Sequence, residues 1–234
     1  MKTVVRVSSY LALSTLLIGV CMGLASQFQH KLEPPGFKKP VLSIEMATTR
    51  ADVERVVGDA GDSDRFQMRG QQLLDFLFIP SYWIEFLLIS CLLAHRKFRG
   101  AKYLGLVAGL CATLAAWFDL QEDRAILHVL DLRLTETPDA AVSAISYYAT
   151  RKWLLLFVAI GLLSSVFISR KNLVNLRWLI FLPPGVLFLI TAVIGLIGLF
   201  NGTLLELYVL PMTLGSLLLF VALLWPPEKL LEGL

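Results

Sequence analysis

The run YLGLVAGLCATLAAWFDLQEDR, residues 103–124, decides the fold. It is apolar from Tyr103 to Phe118 and then places Asp119, Glu122 and Asp123 within five positions. A helix needs about 20 mostly apolar residues to cross a hydrocarbon core about 30 Å thick. This run is therefore short by itself, but its flanks extend it. Residues 119–134 and 140–151 both read as helix with a break at 135–138, and a second apolar stretch covers 153–168. The reading is a long helical hairpin at about 103–168 whose tip stands outside the bilayer.

Working outward, apolar stretches recur at about 9–25, 73–94, 178–200 and 204–225. Composition agrees with them. Of 234 residues, 56% are hydrophobic and 17% charged, against about 45–50% and about 25% in soluble domains. Mean hydropathy is +0.70. A soluble enzyme with a water-facing surface is excluded, as are a disordered chain and a disulfide scaffold. The expected fold class is all-α: a polytopic transmembrane bundle of six spans in a cell membrane. Residues 1–25 form the first span, 26–72 an extracytoplasmic segment, and 73–234 a five-span bundle.

Basic residues in the short connections set the expected orientation. Arg96, Lys97, Arg99 and Lys102 follow span two, and Arg170, Lys171 and Arg177 follow span four, with no acid among them. Lys2, Arg6 and Lys229 join that side, against Glu228 and Glu232. Both termini are then cytoplasmic. Arg151 and Lys152 are the exception, two bases on the expected outer side. The first span also resembles a signal peptide, with Gly23-Leu24-Ala25 after its apolar run. An uncleaved anchor is the favoured reading.

Residues 26–72 are the sizeable polar region. Pro34, Pro35, Gly36 and Pro40 suggest an extended connection. Alternation over 41–46 predicts a short strand with Leu42, Ile44 and Met46 on one side, leaving Glu45 facing solvent. Thr49 and Asp52 form a variant capping box, followed by an apolar face of Val53, Val56 and Val57. That face is expected against the membrane surface or the tops of the spans. Asp59–Asp64 reads as a turn.

The carboxylates beside or within apolar runs are the candidate functional residues, because charge in hydrocarbon costs at least about 2.5–3.5 kcal/mol. Asp75 opens span two. Tyr82 lies on the same helical face, with Pro80 between them as an expected kink. Glu85 falls about 15 Å deeper, near the midplane. Asp119, Glu122 and Asp123, spaced i, i+3, i+4, crowd one face. They call for compensation by Arg124, Arg151, Lys152, a divalent cation or a proton. Glu206 sits at a similar depth in span six. Structural ion pairs at the outer interface are one reading. The other is a binding site for a cation, a proton or a basic ligand.

Cys21, Cys91 and Cys111 form no C-x-x-C pair, and His30, His95 and His128 lie outside the apolar centres. No metalloprotease, hydrolase or nucleotide-binding motif is present, so no cofactor is expected, and the acid spacing matches no EF-hand, so no metal is assigned. Gly105-x-x-x-Gly109 predicts close helix packing. Pro183-Pro184-Gly185 and Pro211 predict helix breaks. The expected partners are the lipid bilayer and another membrane or extracytoplasmic protein met through residues 41–58; nucleic acid is not one. The leading functional reading is a non-enzymatic binding or assembly component. A small ion-coupled carrier and an intramembrane enzyme acting on lipid or an exported substrate are the alternatives.

Overall fold

A computed structural model describes residues 2–25, 39–58, 63–94, 99–168 and 176–224, and among these residues every regular element is helical. The helices are α1 (Lys2–Ala25), α2 (Pro40–Glu45), α3 (Arg50–Val57), α4 (Ser63–Ala94), α5 (Arg99–Asp131), α6 (Asp139–Ile168), α7 (Leu176–Gly198), α8 (Gly202–Leu205) and α9 (Val209–Leu224). Short 3₁₀ turns occupy Leu134–Glu136 and Glu206–Tyr208. Among the described residues five helices are long and apolar enough to cross a membrane, and α1 adds a shorter apolar stretch, Tyr10–Cys21. The chain is thus an all-α, multi-pass membrane bundle.

The expected hairpin is present. α5 and α6 pack along each other, and the break falls at Leu134–Glu136 and Pro138, just before Asp139 starts α6. α5 also packs on α4, α6 on α7, and α7 on α9; α1 packs against both α4 and α9. Chain order therefore becomes a closed ring of six helices. Small residues allow the close approaches. A Cβ on Gly105 would stand 2.7 Å from the Leu93 Cβ, and one on Gly109 would stand 2.9 Å from the Ser90 hydroxyl. The small-residue pair therefore seats α5 on α4 inside the bundle.

Three expectations change. Residues 41–46 form no strand: Pro40 occupies the first turn of α2, where its missing N–H costs nothing. Leu42, Ser43, Ile44 and Glu45 are all buried, so α2 has no solvent face for a periodicity to reveal. Pro183 and Pro184 do not break α7, which continues to Gly198. Proline inside a span is tolerated where neighbouring helices support the freed backbone. α4 likewise runs through Pro80, while Pro211 sits in the first turns of α9, after the 3₁₀ turn that divides the sixth stretch. α4 also begins at Ser63, earlier than its apolar run, so Ser63 and Asp64 of the expected turn are helical, and the rest of that turn lies outside the described residues.

Residues 1, 26–38, 59–62, 95–98, 169–175 and 225–234 lie outside the described residues, and with them Pro34, Pro35 and Gly36 of the expected extended connection, His30, His95 and much of the basic loops.

The capping box is as the spacing predicts. The Asp52 N–H donates to the Thr49 hydroxyl, and the Asp52 carboxylate accepts from the Thr49 backbone N–H at 2.9 Å. Val53, Val56 and Val57 bury against Met68, Ile126, Val129, Val142 and Ile145. The α3 face thus lies on the tops of α4, α5 and α6. Arg65 and Arg69 of α4 donate to the Val129 and Leu130 carbonyls at 2.8 and 2.6 Å, satisfying the C-terminal end of α5.

Candidate functional site

The polar extensions of α4, α5 and α6 meet the apolar parts of the same helices at Asp75, Asp119 and Lys152. From Asp75 to Ala94, α4 rises about 29 Å, and from Asp119 back to Arg99, α5 rises about 30 Å. That is about one hydrocarbon thickness. Above this level sits the apolar core that includes Ile44, Val53 and Ile126. Below it sits another that includes Tyr82, Trp153, Phe157 and Tyr208. A charged layer is enclosed between two apolar ones.

Lys152 is its centre and is 3% exposed. Its ammonium stands 2.7 Å from Glu122 Oε2, 3.0 Å from Asp119 Oδ1 and 3.2 Å from Glu45 Oε1, three carboxylates supplied by two helices other than its own. The second Glu45 oxygen accepts from Trp153 Nε1 at 2.7 Å. Tyr82 donates its hydroxyl to Asp119 Oδ2 at 2.9 Å. Asp75 lies beside Asp123, their oxygens within 4.8 Å of each other, and Asp123 Oδ2 is buried without a hydrogen-bond partner among the described residues. Five buried carboxyl groups thus gather around one ammonium. Trp153, Phe157 and Tyr208, with ring centroids 5.0–5.5 Å apart, close the space beneath.

Among the described residues, the carboxyl oxygens of Asp75, Asp119 and Asp123 are the set that could hold a metal, lying within 4.8 Å of one another. Both Asp119 oxygens are already engaged, by Lys152 and by Tyr82, and the ammonium repels a second cation there. Asp75 and Asp123 bring two further carboxyl groups to the same place.

Glu45 is the member of this cluster that is not on a spanning helix. Burial pushes its carboxyl above the ordinary value of 4.5, and the attraction of Lys152 and the Trp153 hydrogen bond offset this in part.

Five of the seven sequence-derived candidates come together: Asp75, Tyr82, Asp119, Glu122 and Asp123. Glu85 does not join them; it is buried beside the Thr15 hydroxyl of α1. Glu206 is also apart. Its Oε1 accepts from the Lys39 N–H at 2.7 Å and holds the start of α2. Of the proposed compensating bases, Arg124 is exposed and Arg151 lies over the Tyr147 ring at 3.3 Å, leaving the part to Lys152. Glu45 corrects the expectation of solvent exposure: it is 4% exposed, because α2 is a helix wedged between the bundle and α3. One signal for Lys152 existed in the sequence, a basic residue at odds with the charge distribution of the loops. His128 is exposed.

Compared with protein-family models, curated proteins and solved structures, the chain has no match.

Proposed function

We propose that the protein is a small ion-coupled carrier of the cell membrane, with the carboxyl–lysine cluster as its proton- or cation-exchanging centre. One observation carries this reading: three buried carboxylates pair with a single buried ammonium at the edge of the apolar span, and two more buried carboxyl groups lie beside them. Such a network adds little stability over an apolar packing of the same volume. Ionisable groups at this depth mark ion and proton pathways. Glu85, buried about 15 Å further along α4, is a second station between the cluster and the opposite face. The basic connections favour cytoplasmic termini, which would turn the cluster toward the outer side.

Assembly with another protein through residues 41–58 draws less support. Leu42, Ile44, Val53, Val56 and Val57 are spent on the chain's own core and leave little apolar surface for a partner.

The test is flux in proteoliposomes containing a trapped pH dye, driven in turn by Na⁺, K⁺ and Mg²⁺ gradients. One gradient should move protons faster than in protein-free vesicles, and Asp119→Asn and Glu85→Gln should each abolish that flux while keeping the helical spectrum. No proton movement above the protein-free rate with any of the three cations overturns the carrier reading.

A further inference from the structure

α2 crosses the cluster as a strap. At its start the Lys39 N–H is held by Glu206, and at its end Glu45 is held by Lys152 and Trp153. Leu42 packs with the lower apolar core and Ile44 with the upper one, so α2 lies across the charged layer itself. Its neighbours there are α5 and α6, the helices that supply Asp119, Glu122 and Lys152. The same segment that buries these groups therefore donates one of the five carboxyls.

We propose that α2 is a lid over the carboxyl cluster, that Glu45 is its latch, and that lifting the lid admits water and releases protons. The proposal deepens the reading of the cluster as an exchange site. Its physical basis is charge. A dry site with five carboxyls and one ammonium retains protons, because an isolated buried carboxylate is costly. Once the lid lifts, water can solvate charged carboxylates, and the dry site no longer holds the protons. Closure and proton uptake are then one event, and rising pH favours the open lid.

The groups facing Glu45 act in opposite senses, with the acids in the majority. Lys152 from α6 attracts its carboxylate, while Asp119, Glu122 and Asp123 from α5 and Asp75 from α4 repel it. Tyr208 faces it from the turn before α9. On α3, the Asp52 carboxylate turns back onto Thr48 and Thr49. Burial beneath the lid holds the Glu45 carboxyl above its ordinary value, which agrees in sign: the closed lid binds its proton more tightly than water-exposed Glu does.

A thiol probe tests this in the full chain, with Cys21, Cys91 and Cys111 replaced by alanine. Ser43→Cys puts a thiol on the buried side of α2, where Ser43 is 4% exposed. Thr48→Cys, at an exposed position, corrects for the pH dependence of the reagent itself. With a membrane-impermeant maleimide, the ratio of the two rates should climb as pH is raised from about 5 to about 8, by up to about tenfold per unit for each proton released. Glu45→Gln, fixed in the neutral form, should lower that slope. Trp153→Phe removes the donor to Glu45 while keeping an aromatic ring, and should raise the ratio at every pH. A ratio that is flat with pH in the otherwise native chain, or a slope unchanged in Glu45→Gln, overturns the lid. Labelling reports lid motion without transport, so a missing flux with a pH-dependent ratio would sink the carrier reading alone.

Discussion

Lys152→Met gives the sharpest test of the charged layer, because methionine keeps an unbranched apolar stem and removes the ammonium. Three ion pairs, at 2.7, 3.0 and 3.2 Å, are lost together. Their losses do not add, because removing one cation leaves one unit of uncompensated charge. Removing one partner of a buried pair costs about 3–5 kcal/mol. An independent route gives a similar figure. If the site restores its balance by taking up one proton on a carboxyl of ordinary value near 4.3, the cost at pH 7 is about 3.7 kcal/mol, and at pH 5 about 1 kcal/mol. The sign follows from that extra proton: the folded variant binds one more than the native protein, so its deficit grows as pH rises. In mild detergent, with unfolding followed by tryptophan fluorescence, the midpoint should fall by about 7–15 °C at pH 7 and about 2–4 °C at pH 5. A variant as stable as the native protein at pH 7, or a deficit that does not change with pH, refutes the reasoning.

Thr49→Ala should cost about 1 kcal/mol, read as a midpoint lowered by a few degrees, since it removes the acceptor for the Asp52 N–H. Burial pushes the Asp52 carboxyl up, but the hydrogen bonds from Thr49 and Thr48 outweigh it and hold the group below its ordinary 3.8. Its stabilising share is therefore present above 3.8 and is lost as pH falls through the lowered value, and Thr49→Ala should flatten that acid limb of stability against pH. Tyr82→Phe removes a hydroxyl bonded to Asp119 and should cost about 1.5–3 kcal/mol in the same unfolding measurement. Gly195→Val should lower the midpoint by the equivalent of at least about 1–3 kcal/mol, because a Cβ there would overlap the Phe157 ring. Adding Phe157→Leu should return part of that loss; strict additivity of the two changes would remove the contact from the explanation.

The long helices were legible because apolar length and helix punctuation speak locally. The run after Tyr103, the acids that follow it and the break before Asp139 required no knowledge of neighbours. α2 was not legible for a physical reason. A six-residue helix covered on every side buries Ser43 and Glu45 along with Leu42 and Ile44, so no polar face betrays its period. Alternation of apolar and polar residues then imitates a strand. The capping box at Thr49 survived because its hydrogen bonds span three residues and depend on nothing else.

The site was legible in depth and illegible in azimuth. Helical rise places Asp75, Asp119, Glu122 and Glu206 at similar heights, but a single sequence does not say which faces look at one another. Glu206 turns to the backbone of Lys39, and Glu85 turns to α1. Lys152 needed a partner 107 residues away, Glu45, on a segment whose secondary structure was itself misread. The compensation rule supplied what local pattern could not. Three acids on one helical face demand a cation or protons, and the basic residues out of keeping with the loop charges were the nearest candidates. Four of the five carboxyls and the aromatic hydroxyl were thus visible as a problem in electrostatics. Its solution required the fold, because the cation and the fifth carboxyl, Glu45, are brought to the acids by two different elements, α6 and the short strap α2. A layer assembled in this way is intact only while the strap is seated, which ties the charge state of the cluster to the position of one short helix.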